Sequence, residues 1–278
     1  MTFEPEQLGR SRQELAASLK GLRKRSGLSG DRVARRMNVS QSKVSRIENG
    51  KVRPSIVDVE HYLRAVDAPA DLVTDVMALA RITNTEWQDF RNLRRKGLDK
   101  KQQELAALEK SSTEFRFFLL SMITGLLSTP DYIRASLAHV PGDHNRTVTR
   151  KLERQEVLYD TTKRFTFLLS ELALKWPLVP APAMAMQLDR LVSVSRLPSV
   201  RLGVIPAQGH MPVAPMDTFT VYDTNLATAE TTTGVVILRD PRDVAAYLEL
   251  FSILESYALF DNDARGYLTE HADKIRDL

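Results

Sequence analysis

Residues 27–54 constrain this chain more than any other stretch. They read Gly-Leu-Ser-Gly-Asp-Arg-Val-Ala-Arg-Arg-Met-Asn-Val-Ser-Gln-Ser-Lys-Val-Ser-Arg-Ile-Glu-Asn-Gly-Lys-Val-Arg-Pro. The spacing predicts two short helices joined by a tight turn. Ser29 can cap the first by accepting a backbone N–H that has no partner in the opening turn, and Asp31 sits at the positive helix end. Val33, Ala34 and Met37 share one face. Asn38-Val39 forms the turn. Ser40 caps a second helix from Gln41 to about Asn49, with Val44 and Ile47 inward. Gln41, Ser42, Ser45 and Arg46 face outward. Gly50 supplies the left-handed stop that helix ends prefer, and Lys51, Arg53 and Pro54 follow.

Two short helices with an exposed amide, hydroxyls and guanidinium on the second suit the DNA major groove, which is wide enough for one helix. Gln can pair with adenine, Arg with guanine and Ser with several base edges. An ordinary solvated bundle is the competing reading. It gives no reason for the inward Val44 and Ile47, both capping serines and the Gly-Lys-x-Arg-Pro exit to fall in register.

Ser-Gln-Ser-Lys-Val-Ser-Arg-Ile-Glu-Asn-Gly resembles the second helix of the phage-repressor, or Xre, type of helix-turn-helix, and Leu28 through Pro54 matches without a gap. The resemblance implies that Gln41, Ser42 and Ser45 face bases, with Arg46 a further candidate. It implies phosphate contacts by Asn49, Lys51 and Arg53, to which Arg32 and Lys43 are added as phosphate candidates. It also implies an ion pair of Arg23 with Glu48. Gly30 stands where the family often has a phosphate-binding Gln, so only its backbone N–H can act there.

The charge distribution agrees. Residues 1–66 hold 14 Lys and Arg against 7 Asp and Glu; the remainder holds 25 against 28. The basic excess therefore accompanies the reading helix, where phosphate neutralisation needs it. A length of 278 residues suggests about two domains. No apolar run reaches the ~20 residues that span a bilayer, and the first residues lack the order of a signal peptide. The chain has no cysteine, which removes disulfides and thiol chemistry and fits a cytoplasmic protein.

Along the chain, residues 1–10 are expected to be flexible and 11–82 to form a five-helix head: a first helix at 11–26, the pair above, then helices after Ser55 and over 70–82. Residues 83–112 read as a helical connector. It is open whether this is a plain solvated helix, a helix that packs on its twin in a homodimer, or a basic arm on flanking DNA. Residues 113–278 read as an α+β domain. Phe115 to Leu120 is a buried strand, Thr129 and Pro130 open a helix, and residues 147–161 form a charged one. Phe165 to Leu169 is a strand and Met184 to about Ser195 a helix. Four short strands follow near 200–206, 219–222, 227–232 and 235–238. A long helix from Asp240-Pro241 and a small polar one end the chain. The expected fold class is multidomain: an all-α repressor-like head, then an α+β domain with a mostly antiparallel sheet.

In this second segment Gly-Leu-Leu-Ser-Thr-Pro-Asp-Tyr, Arg154-Gln155-Glu156-Val157-Leu158, Gln187-Leu188-Asp189-Arg190-Leu191, Val204-Ile205-Pro206 and the closing Tyr247…Phe251…Leu254 resemble an actinobacterial family of antitoxin-like regulators. That family usually reads Pro-Gly-Leu-Leu-Gln-Thr; Thr124 and Ser128 replace the Pro and the Gln. The resemblance implies a small partner protein, with a small-molecule effector the other expectation.

No enzyme is expected. The five histidines are scattered, and none has the i, i+4 spacing of a helical zinc site. His139, Asp143 and His144 are a remote metal candidate. There is no phosphate-cradling glycine loop and no nucleophile elbow. Glu171 and Glu230 read as hydrogen-bonded structural carboxylates, and residues 207–216 as a surface hairpin or a lid. No cofactor and no metal are expected. The partners expected are double-stranded DNA, a second copy of the chain and an effector or small protein, with no membrane.

Overall fold

The computed structural model describes residues 5–89, 106–140 and 142–277. The chain divides into two compact units, residues 1–87 with 236–244 and residues 88–235 with 245–278.

The first unit opens with five helices: α1 (Pro5–Arg25), α2 (Gly30–Arg36), α3 (Gln41–Glu48), α4 (Ile56–Ala65) and α5 (Ala70–Asn84). Leu15, Leu19 and Leu22 of α1, Val33 and Ala34 of α2, Val44 and Ile47 of α3, and Val59, Tyr62 and Leu63 of α4 form one buried cluster. The serine caps act locally. Ser29 accepts from the Arg32 N–H, Ser40 from Lys43 and Ser55 from Asp58, and the Asp58 side chain returns the bond to Ser55. Asn38 in the turn and Gly50 after α3 both have positive φ, 54° and 63°.

Two boundaries differ from those expected. α1 begins at Pro5, not after residue 10; Pro is favourable in a first helical turn, where its missing N–H costs nothing. The connector is not helical at its start, because Thr85–Asp89 is a strand, β1. Thr and Trp favour extended backbone, and β1 lies beside a strand some 150 residues on, β7 (Gly234–Leu238). The connector's dimer and DNA-arm readings rest mainly on residues 90–105, outside the described residues; helix returns at 106–111.

In the second unit the sheet runs β6–β5–β2–β3–β4. These are β2 (Glu114–Leu119), β3 (Arg164–Ser170), β4 (Val200–Ile205), β5 (Thr218–Tyr222) and β6 (Leu226–Glu230). The expected class, a helical head followed by an α+β domain, is the one found, and the sheet is mixed. β5 is antiparallel to β2 and β6, whereas β3 is parallel to β2 and β4. Parallel neighbours need crossover connections. α6 (Pro130–Leu137), α7 (Asn145–Glu153) and a 3₁₀ turn (Arg154–Tyr159) link β2 to β3; α8 (Glu171–Lys175) and α9 (Ala181–Val194) link β3 to β4. The expected charged helix 147–161 is thus α7 followed by the tighter 3₁₀ turn.

β2 is central because its phenylalanines pair on both sides. Phe115 and Phe117 stack in register on Phe165 and Phe167, with ring centroids 4.5 and 4.7 Å apart, and Phe118 meets Phe219 at 5.4 Å. α10 (Pro241–Glu255) and α11 (Asp261–Arg276) close the chain.

The stretch 124–129 is clamped by amides. Gln155 Nε2 donates to the carbonyls of Gly125 and Ser128 at 2.8 and 2.7 Å. Fully buried Gln187 accepts from the Thr129 N–H and donates to the Leu127 carbonyl. Ser128 is itself buried, its hydroxyl donating to the Thr124 carbonyl at 2.8 Å.

Candidate nucleic-acid interface

α3 is divided by its own periodicity. Val44 and Ile47 are each 1% exposed, while Gln41, Ser42 and Arg46 lie on the open face and Ser45 is half-buried between. Two of the outward groups are held along the helix. The Ser42 hydroxyl shares a hydrogen bond with the capping Ser40 hydroxyl at 3.0 Å, and Arg46 Nε donates back to the Ser42 carbonyl at 3.3 Å. Gln41 stands at the exposed start. A Cβ at Gly30 would lie 3.7 Å from Gln41 Nε2, so the start of α2 flanks that amide. The structure therefore brings together Gly30, Gln41, Ser42, Ser45 and Arg46.

At the other end Asn49 closes the helix. Its Nδ2 donates to the Ser45 carbonyl at 2.8 Å and to the Ser45 hydroxyl at 3.4 Å, and its Oδ1 accepts from Lys20 Nζ at 3.3 Å. Gly50 then turns the chain with positive φ, leaving Lys51 exposed and Arg53 partly buried. Arg32 is exposed on α2.

Lys43, expected at a phosphate, has a partner within the head. Its Nζ pairs with Asp58 Oδ1 at 2.7 Å. Burial would raise the Asp58 pKa, but hydrogen bonds from Lys43 and Ser55 outweigh it and the carboxyl titrates below its ordinary value of 3.8. Lys43 is thus joined to α4 by a residue that spacing within α3 does not reveal.

Beneath α3 lies a charged triad. Arg23 donates through Nε and Nη2 to both Glu48 oxygens at 2.7 and 2.8 Å, and through Nη1 to the Leu28 carbonyl at 3.0 Å. The Tyr62 hydroxyl lies 2.7 Å from Glu48 Oε1. One guanidinium therefore ties α1 to α3 and to the loop before α2. Burial pushes the Glu48 pKa up, yet the bonds from Arg23 and Tyr62 prevail and hold it below 4.5. Arg23 is raised, chiefly by its bond to Glu48, and Tyr62 is raised by burial and then by that carboxylate.

Sequence reasoning named Arg23 and Glu48 but missed Tyr62, Asp58 and Lys20. Lys20 had a signal: it precedes Arg23 by three on α1, which puts both on one helix face. Tyr62 had none, since its stripe position suits an ordinary core residue.

The remaining candidates take local roles. The His144 ring contacts the Val140 carbonyl at 2.6 Å, and Asp143 accepts from the Asn145 N–H. Glu171 accepts from the Ala207 N–H at 2.6 Å and pairs with Lys175. Among the described residues no three His, Asp or Glu groups converge as a metal set, and no helix is long and apolar enough to cross a membrane.

Residues 14–76 match a family model described as a helix-turn-helix domain. Residues 102–270, more than half the chain, match a domain of unknown function, DUF5753. The chain belongs to this family. The DUF5753 match takes in β2 through β7 and most of α11. Among solved structures, NucT from Helicobacter pylori is similar at 8% identity and TM-score 0.38, over 64% of this chain and 98% of that one. Nuc of Salmonella typhimurium, a phospholipase D family member, is similar at 13% and 0.33, over 56% and 87%. TrmBL2, an archaeal chromatin protein described as showing a novel mode of DNA binding, is similar at 9% and 0.33, over 64% and 53%. No curated protein matches the chain.

Proposed function

We propose that this protein is a sequence-specific, DNA-binding transcription regulator of the Xre type, acting in the cytoplasm as a homodimer. α3 lies in the major groove, with Gln41, Ser42, Ser45 and Arg46 toward base edges, and Asn49, Lys51, Arg53, Arg32 and the Gly30 N–H toward phosphates. Lys20, which reaches Asn49, joins the phosphate set. The observation that carries the reading is α3 itself: a helix anchored by buried Val44, Ile47 and Glu48 whose opposite face offers an amide, hydroxyls and a guanidinium to solvent. Paired heads supply the specificity that one head of this size lacks. The C-terminal domain senses a small molecule and adjusts DNA affinity; it is not a catalyst. Selection of binding sites from random DNA with the full chain tests this. Enrichment of a symmetric motif that Gln41→Ala abolishes is the expected result, and no enrichment refutes it.

A second reading is supported by Leu172 in α8 and Trp176, the extended residue that follows it, 46% and 52% exposed. Here the C-terminal domain binds a small partner protein, as the antitoxin-like resemblance implies, and DNA binding adjusts their joint expression. A small protein co-purifying with the wild type but not with Trp176→Ser favours it.

A further inference from the structure

The second unit contains an open groove of 610 Å³, within the range of small-molecule sites. Ala106, Glu109 and Lys110 form one wall, Arg150, Glu153, Arg154 and Val157 another, and Asp160 and Lys163 the end. The wall charges are not equivalent. Glu109 and Arg154 are a buried, two-bonded pair that neutralises itself. Asp160 is held by the Thr162 N–H and hydroxyl at 3.0 and 2.6 Å. Lys163 is the exception. It is only 8% exposed, and the nearby Asp160 carboxylate, which its charge helps hold below the ordinary value of 3.8, makes no direct bond to it.

Its ammonium donates to the Ser112 carbonyl at 2.6 Å and weakly to that of Lys110 at 3.4 Å, and lies 5.8 Å from the Phe115 ring centroid. The Lys110 carbonyl lies in the last turn of the helical segment 106–111 and Ser112 follows it, so the partial negative charges of these carbonyls face the ammonium. A whole positive charge is therefore only partly offset. Burying a cation without a directly bonded counter-ion is costly, and a lysine placed only to cap a helix can stay in water. An ammonium has three donors, and two are engaged.

We propose that this groove binds a small organic anion, a carboxylate or a phosphate ester, whose oxyanion completes the shell of Lys163 while its apolar part lies on Ala106 and Val157. Exposed Lys110 at the rim adds attraction. The site rests on the sensing role proposed above and gives it a location and a ligand class.

The test titrates the full chain with benzoate and, separately, inorganic phosphate, followed by hydrogen–deuterium exchange. Saturable protection of 106–113 and 157–163 is expected, stronger for benzoate if the ligand is a carboxylate and for phosphate if it is an ester. Lys163→Met is expected to weaken binding about tenfold or more, as loss of a charged hydrogen bond does. If that variant fails to fold, Lys110→Gln at the exposed rim is expected to weaken binding by a smaller factor, and Lys274→Gln to leave it unchanged. Absence of saturable protection there up to about 10 mM of either probe overturns the site. DNA affinity is measured in the same samples. Groove binding that leaves it unchanged keeps the site and removes the sensing role. An effector that alters it while protecting another region does the reverse.

Discussion

Replacing Glu48 by Ala is expected to destabilise the first unit by about 3 kcal/mol, the lower end of the 3–5 kcal/mol typical when one partner of a buried pair is removed. The lower end applies because the Arg23 side chain keeps 18% exposure against 6% for Glu48, so water can reach part of the stranded guanidinium. Arg23 retains only its bond to the Leu28 carbonyl, and Tyr62 can turn to the Leu19 carbonyl 3.1 Å away. The loss is thus mainly an uncompensated cation, and removing that cation restores much of it. Arg23→Met combined with Glu48→Ala is expected to be less damaging than the two single losses added, by at least about 1.5 kcal/mol. The assay is hydrogen exchange at the Val44 and Ile47 amides of the full chain, because two units need not unfold together and a single melting temperature would blend them. A coupling below about 0.5 kcal/mol would show that the triad is not a unit and refute the reasoning.

Acid is expected to weaken the same unit. Glu48 and Asp58 titrate below their ordinary values of 4.5 and 3.8 in the folded chain, so their contribution is complete above those values and disappears as pH falls through the lower folded ones. Exchange at α3 measured from neutral pH down to pH 3 checks this, and a flat profile contradicts it. On DNA, Gln41→Ala is expected to cost about 1–3 kcal/mol on the selected site and little on random duplex. Lys51→Ala should weaken both alike and lower the salt slope by about one, read by titration at several salt concentrations. Gly203→Ala is expected to destabilise the second unit by about 1–3 kcal/mol, since its Cβ would lie 2.6 Å from Phe260 Cε1 and 2.9 Å from Leu168 Cδ2; denaturant unfolding followed by exchange in β4 measures it.

α3 was legible because its determinants are local. Ser29, Ser40 and Ser55 cap with residues three positions on, and Val44 and Ile47 are inward by helical spacing alone, so nothing distant is needed to find them. The strands showed themselves for a similar reason: Phe115 to Leu119 and Phe165 to Leu169 are short apolar runs whose burial on both faces marks the residue types directly. Partners far apart in the chain were another matter. Lys43 meets Asp58, Lys20 meets Asn49, Tyr62 completes the Arg23–Glu48 pair, and Thr85–Asp89 extends beside a strand some 150 residues on. The order β6–β5–β2–β3–β4 and the burial of Lys163 belong with these. Each depends on which of many chemically suitable partners the folded chain brings within a few ångströms. Periodicity specifies the face a residue occupies; only tertiary packing selects the group that face meets.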